Sequence, residues 1–321
     1  MMFTSVRSGL QVAWRQPKLV FLLWAWNLIL GLAVTVPIWT WLRDALDLTV
    51  EGPALLSRFN VGALVDLIKY ADPNPFDLLG AGVQGAVLVA VVASAFTNGG
   101  MLEVLGAPDD RRTFMHRFFR GGGHFFWRFV RLMVVGGILA LVAAGLAGSL
   151  DVLLSPLSES ESGYGPYAAG LLTLAAMAVA GGLFLLGLDY ARIRIARDDT
   201  RGMLRAYFGA LGFVLRHAFA TYGMAVVMLL LGGAVLLLYV GHETVWTTSG
   251  WGTILLLVVV QQVVVLARTL LRVALVAAER HYFLSRQPPA LEPVVAPAPV
   301  ASQTPAEIRA PAVEDMPPPA A

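Results

Sequence analysis

The chain has 321 residues, 57% of them hydrophobic and 14% charged, with a net charge of +2; an ordinary soluble domain carries roughly 25% charged residues. At a mean hydropathy of +0.71, a soluble fold could not cover the apolar surface, and the chain is too apolar to stay disordered. No cysteine is present, which excludes a disulfide scaffold, a thiolate metal site and a thiol redox centre.

What remains is an all-α integral membrane protein. Crossing a bilayer takes about 20 apolar residues, and six stretches are long enough: 19–41, 80–102, 129–150, 168–188, 218–240 and 253–271. Backbone groups in lipid must be satisfied within each segment, so these are helices. The run Ile254–Val260 does not alternate in polarity, which excludes a barrel strand. The first stretch is too long for the core of a cleaved signal, and Ile38-Trp39-Thr40-Trp41 reads as an aromatic interface belt. It is expected to be a retained first span.

Charge sets the orientation. Twenty Lys and Arg fall on the side that holds both termini, against three (Arg43, Arg58 and Lys69) on the other. By the positive-inside bias, both termini are cytoplasmic, and the basic face is expected to lie against anionic lipid. The arginines interleaved with Phe118, Phe119, Phe125, Phe126 and Trp127 read as an interfacial helix rather than a nucleic-acid surface.

Two basic segments repeat. Residues 107–119 read APDDRRTFMHRFF, and residues 196–208 read ARDDTRGMLRAYF. At the offset of 89, five positions are identical (Ala107, Asp109, Asp110, Arg112 and Phe119), and Phe118 meets Tyr207. Each Asp-Asp stands where it can cap the helix that follows. The segment 8–18 reads as a third copy. The expected architecture is therefore three hairpins of two spans, each preceded by an amphipathic interfacial helix. Gly121-Gly122-Gly123 reads as a hinge between one such helix and its span.

Within the membrane, small residues recur every fourth position, as at Gly82, Ala86, Ala90 and Ser94, and at Gly136, Ala140, Ala144 and Gly148. Such stripes let helix backbones approach closely. Polar side chains in the spans are few: Asn27, Gln84, Gln261 and Gln262 form the candidate intramembrane site, with Asn98 near the edge. Glu103, Arg131, Asp189, Arg268 and Arg272 lie at the inner boundary. They are expected to form ion pairs, with Glu103 or Asp189 meeting the Arg268/Arg272 face, or else to contact lipid headgroups.

No catalytic or cofactor signature appears. The five histidines make no H-E-x-x-H pattern, the glycine run is not a dinucleotide fingerprint, and no G-x-S-x-G elbow is present. No catalytic residue, cofactor or metal is therefore expected. The first outer loop, 42–79, suggests a short helix at 54–70, and 155–167 reads as a flexible loop. From Gln287 to Ala321 the chain holds 10 of its 18 prolines. That stretch is expected to be a disordered cytoplasmic tail, either a spacer or a docking peptide for a protein partner. Residues 1–286 then form the bundle and 287–321 the tail.

Gly99-Gly100, the Asp-Asp…Phe-Phe segment at 109–119, Asp189-Tyr190-Ala191-Arg192 and Ala277-Ala278-Glu279-Arg280 carry a resemblance. The chain resembles bacterial six-span membrane proteins of unassigned function. It is similar to the membrane domains found beside glycerophosphodiester phosphodiesterases. No hydrolase domain is attached, so the resemblance implies a bacterial inner-membrane home and no catalytic residues. The leading expectation is a non-enzymatic scaffold or accessory subunit. The competing one is a transporter or lipid-handling protein with a cavity between hairpins.

Overall fold

The computed structural model describes residues 2–47, 75–106, 114–158, 164–243 and 251–287. The expected helix at 54–70, the first Asp-Asp at 109–110, the centre of the 155–167 loop and the tail beyond Gln287 lie outside the described residues, as does the side chain of Gln84.

The described residues form eight helices and no strand: α1 (Met2–Arg15), α2 (Pro17–Asp47), α3 (Pro75–Gly106), α4 (Phe114–Ser158), α5 (Gly165–Asp198), α6 (Met203–Arg216), α7 (Ala218–Glu243) and α8 (Trp251–Arg286). Five of them, α3, α4, α5, α7 and α8, are long and apolar enough to cross a membrane. A sixth crossing is reached if α1 and α2, which meet at 79°, are taken together. The chain is thus an all-helical protein with five to six membrane-compatible helices.

The joints have local causes. Pro17 opens α2, where its missing N–H would have no helical partner and its fixed φ suits a first turn. Gln16 alone separates α1 from α2, and its carbonyl accepts from Leu19 and Val20. His217 is the single residue between α6 and α7. Its N–H donates to Phe213 and Val214, and its carbonyl accepts from Ala220 and Thr221.

Two local expectations are corrected. The Gly121–Gly123 run does not break the chain, because α4 is continuous for 45 residues through it. Tertiary packing overrides the low helix propensity of glycine here. A Cβ on Gly121 would overlap the Cβ of Glu103 and come within 2.9 Å of the Gly99 carbonyl oxygen. A Cβ on Gly100 would lie 2.7 Å from Phe118, and one on Gly122 2.7 Å from Phe96. These glycines let the α3 and α4 backbones touch. The second Asp-Asp does not cap α6, which starts at Gly202 with no side-chain cap bond. Asp198 ends α5, and Asp199 turns the chain there with φ at 50°. Asp is one of the few non-glycine residues that accept this left-handed conformation.

The repeat survives in the packing of α4 and α6. Each places an aromatic over a glycine of the preceding helix. Phe118 covers Gly100, and Tyr207 covers Gly187. α1 also packs closely on α8, with the glycine on α1 itself and no aromatic: a Cβ on Gly9 would meet the Ala274 carbonyl and lie 2.8 Å from the Ala278 Cβ. The α3–α4, α5–α6 and α1–α8 contacts are among the most extensive in the fold.

The buried core sits at the end of the bundle that carries the arginines. Phe125, Phe129, Tyr190, Phe213, Tyr282 and Phe283 pack there, with Phe213 5.0 Å from Phe283 and 5.3 Å from Tyr190 between ring centres. Toward the other end, Leu171, Leu174, Leu229, Leu237, Val259 and similar side chains face outward.

Candidate functional site

Three of the polar side chains expected mid-membrane lie among the described side chains: Asn27, Gln261 and Gln262. Asn27 and Gln261 are exposed on α2 and α8. The Trp24 indole N–H donates to the Gln262 side-chain oxygen at 3.2 Å, tying α2 to α8.

The inner-boundary groups do gather, with partners other than those expected. Glu103 pairs with Arg120 of α4, not with α8. Asp189 pairs with Arg192, one turn along α5. Arg268 and Arg131 are exposed, and Arg272 donates to the Asn98 side-chain oxygen at 3.5 Å. The expected direct pairing of Glu103 or Asp189 with Arg268 or Arg272 is therefore absent among the described residues. Local reach explains the change: α4 lies directly against Glu103 through its glycines, and a carboxylate three residues before an arginine meets it on the same helix face. Asp189 and Arg192 still act electrostatically on Arg272.

A buried acid was not foreseen. Glu279 of α8 is 0% exposed. Neither of its side-chain oxygens has a hydrogen-bond partner among the described residues, and neither does the buried hydroxyl of Tyr190. Asp189 and Arg192 lie within electrostatic reach of Glu279. Its signal in the sequence is its place three and four residues before Tyr282 and Phe283, both almost fully buried, with which it shares a helix face.

A second cluster joins α4 to the α5 terminus. Asp199 pairs with Arg128 and stands 3.5 Å from His124. The hydrogen bond from Arg128, followed by its charge and by His124, holds the Asp199 carboxyl below the usual carboxylate range.

Three hollows border this end. One of about 690 Å³ is almost wholly apolar and lies between α2 and α4, with Lys18, Phe21 and Phe114 on its wall. One of about 250 Å³ between α3, α4, α5 and α8 carries Glu103, Arg197 and Arg280. One of about 320 Å³ lies between α1 and α8 and carries Ser8, Arg280, His281 and Ser285. Arg280 lines both of the polar hollows, and its guanidinium donates to the Leu105 carbonyl at 3.1 Å, at the end of α3. Among the described residues no group of three His, Asp or Glu is placed to hold a metal ion.

The fold is that of a multi-pass helical membrane protein by the length and composition of its helices, and among the described residues the ion pairs and buried polar groups gather at one end. No protein-family model, curated protein or solved structure matches the chain.

Proposed function

We propose that the chain is a non-enzymatic scaffold or accessory subunit of a bacterial inner membrane. In this reading six spans form three hairpins, and both termini are cytoplasmic. The observation that carries it is the division of the bundle. Charged groups and tight packing collect at the basic end, while the far halves of α5, α7 and α8 turn leucines and valines outward. Apolar flanks of that kind are covered by lipid or by helices of another protein. The contact pattern supports the three-unit arrangement: each basic amphipathic segment rests on the second helix of a hairpin, α4 on α3, α6 on α5 and α1 on α8. The resemblance to the membrane domains beside phosphodiesterases implies the bacterial inner-membrane home. Anionic lipid is the expected partner of the basic face, and a second protein that of the tail.

The test is extraction of the full chain in native lipid discs, followed by mass measurement. A scaffold or accessory subunit emerges in a fixed stoichiometry with another membrane protein. A monodisperse single chain would refute that role.

One observation favours a second reading, lipid handling. The apolar hollow between α2 and α4 opens beside Lys18, a layout suited to an acyl chain with its headgroup at the ammonium. Reconstituted vesicles with a fluorescent lipid in both leaflets discriminate. A scaffold leaves the inner-leaflet label protected from a membrane-impermeant quencher, whereas a lipid-handling protein exposes it.

A further inference from the structure

We infer that the crevice between α1 and α8 is a phosphate-binding site, with Arg280 as its cation and Ser8 and His281 as its hydrogen-bonding wall. The crevice has a volume of about 320 Å³ and an apolar floor that includes Val12 and Leu105. Ser8, Arg280 and His281 bring donors to its wall, the Ser285 hydroxyl donates to the Tyr282 carbonyl at 2.8 Å, and among the described residues no carboxylate lines it. A wall of donors around an arginine is complementary to an anion with several acceptor oxygens, and phosphate fits best.

The donors are held in place. Arg280 spends one N–H on the Leu105 carbonyl, which leaves most of its five donors for a ligand. It makes no ion pair among the described residues. His281 has Nδ1 3.2 Å from the Ser5 hydroxyl, which holds the ring; with that hydroxyl as donor, the ring's remaining N–H is on Nε2. The adjacent acid cannot neutralise the site, because Glu279 is fully buried and within reach of Asp189 and Arg192 of α5.

The position selects the source of the phosphate. α1 shows Phe3 and Trp14 on its outer side, 72% and 77% exposed, beside the exposed Arg7 and Arg15. Aromatic and basic residues on one exposed helix face mark the headgroup layer of a bilayer. The crevice beneath α1 is thus offered to the phosphate of an inner-leaflet lipid, an assignment that rests on the basic end being cytoplasmic. A free phosphate ion would satisfy the same donors without that orientation.

The experiment uses the full chain in a zwitterionic detergent, with the thermal midpoint and lipid affinity as readouts. The probes are phosphatidylglycerol and inorganic phosphate. Three variants are compared: Arg280→Gln, Ser8→Leu and Arg201→Gln. Ser8→Leu fills the crevice and keeps the Arg280 bond to α3. Arg201 is an exposed arginine on the joint between α5 and α6. Phosphatidylglycerol is expected to raise the midpoint of the unmodified chain and of Arg201→Gln. Affinity should fall about tenfold in both Arg280→Gln and Ser8→Leu, the loss of one charge-assisted contact set. A rise with the lipid alone identifies a headgroup site, and a rise with both probes identifies a site for bare phosphate; either supports the inference. It is overturned if neither probe acts, or if lipid affinity is unchanged in both crevice variants. Cysteine labelling of the two faces tests the orientation separately, so its failure would leave the phosphate result standing.

Discussion

Replacing Gly121 with alanine isolates the contact that joins α3 to α4. The new Cβ would overlap the Glu103 Cβ and sit 2.9 Å from the Gly99 carbonyl oxygen. Both obstacles belong to the backbone or its first carbon, so neither can swing aside. Overpacking of this kind costs about 1–3 kcal/mol. The same substitution gains about 1 kcal/mol of helix propensity. Gly123, two residues on, has nothing within 4 Å of its Cβ position. Gly123→Ala therefore receives the propensity gain without the clash. The expected outcome is a Gly121→Ala chain less stable than the Gly123→Ala chain by about 1–3 kcal/mol, the overpacking term alone. Denaturant titration of the detergent-solubilised protein, followed by circular dichroism, measures it. Equal stabilities would show that α3 and α4 do not touch through glycine, and the reasoning would fail.

Other expectations follow from the charged groups and the ends. Asp189→Asn and Arg192→Gln should couple by about 0.5–3 kcal/mol in a double-mutant cycle, while Asp189→Asn and Arg268→Gln should add; the reverse pattern would reinstate pairing across helices. Glu279→Met should raise the thermal midpoint, since an unpartnered buried polar group costs about 1–3 kcal/mol; a lowered midpoint would reveal a partner for the acid. The Asp199 carboxyl is held below its ordinary range, so its stabilisation is complete above the unfolded carboxyl's pKa and is lost as pH falls through the folded one. The side chain is 65% exposed, and such a pair is worth about 0–1 kcal/mol; Asp199→Asn should remove that acid-side slope and leave neutral stability little changed. Ser160→Cys and Ser302→Cys in this cysteine-free chain should label oppositely in intact cells, Ser160→Cys reacting with an impermeant reagent and Ser302→Cys not.

Apolar run length made the long helices legible, because lipid demands one continuous hydrogen-bonded segment per crossing. The presence of α6, though not its start at Met203, was legible from the repeat of a basic amphipathic segment. Partners were harder to read. Spacing tells which residues share a face, and says little about which helix that face meets; Glu103 therefore went to Arg120 rather than to α8. Gly121–Gly123 misled because glycine both loosens a backbone and permits its closest contact, and only the presence of α3 decides between them. Asp198-Asp199 misled because the same short acidic pair can open a helix or close one. Glu279 was hidden by its neighbours: a carboxylate followed by arginine in a basic segment looks solvated until α1 and α5 cover it.

The docking of α1 on α8 has a consequence for synthesis. Ser5 meets His281 across 276 positions of sequence, so the first helix made has its seat on the last. Until Trp251–Arg286 is made, α1 lacks its most extensive seat and has only its smaller contacts with α2 and α7. Contacts this distant in sequence form late and slowly. Full seating of α1 would then be a late step of biogenesis, and a chain stalled before Trp251 would present a loosely held amphipathic helix.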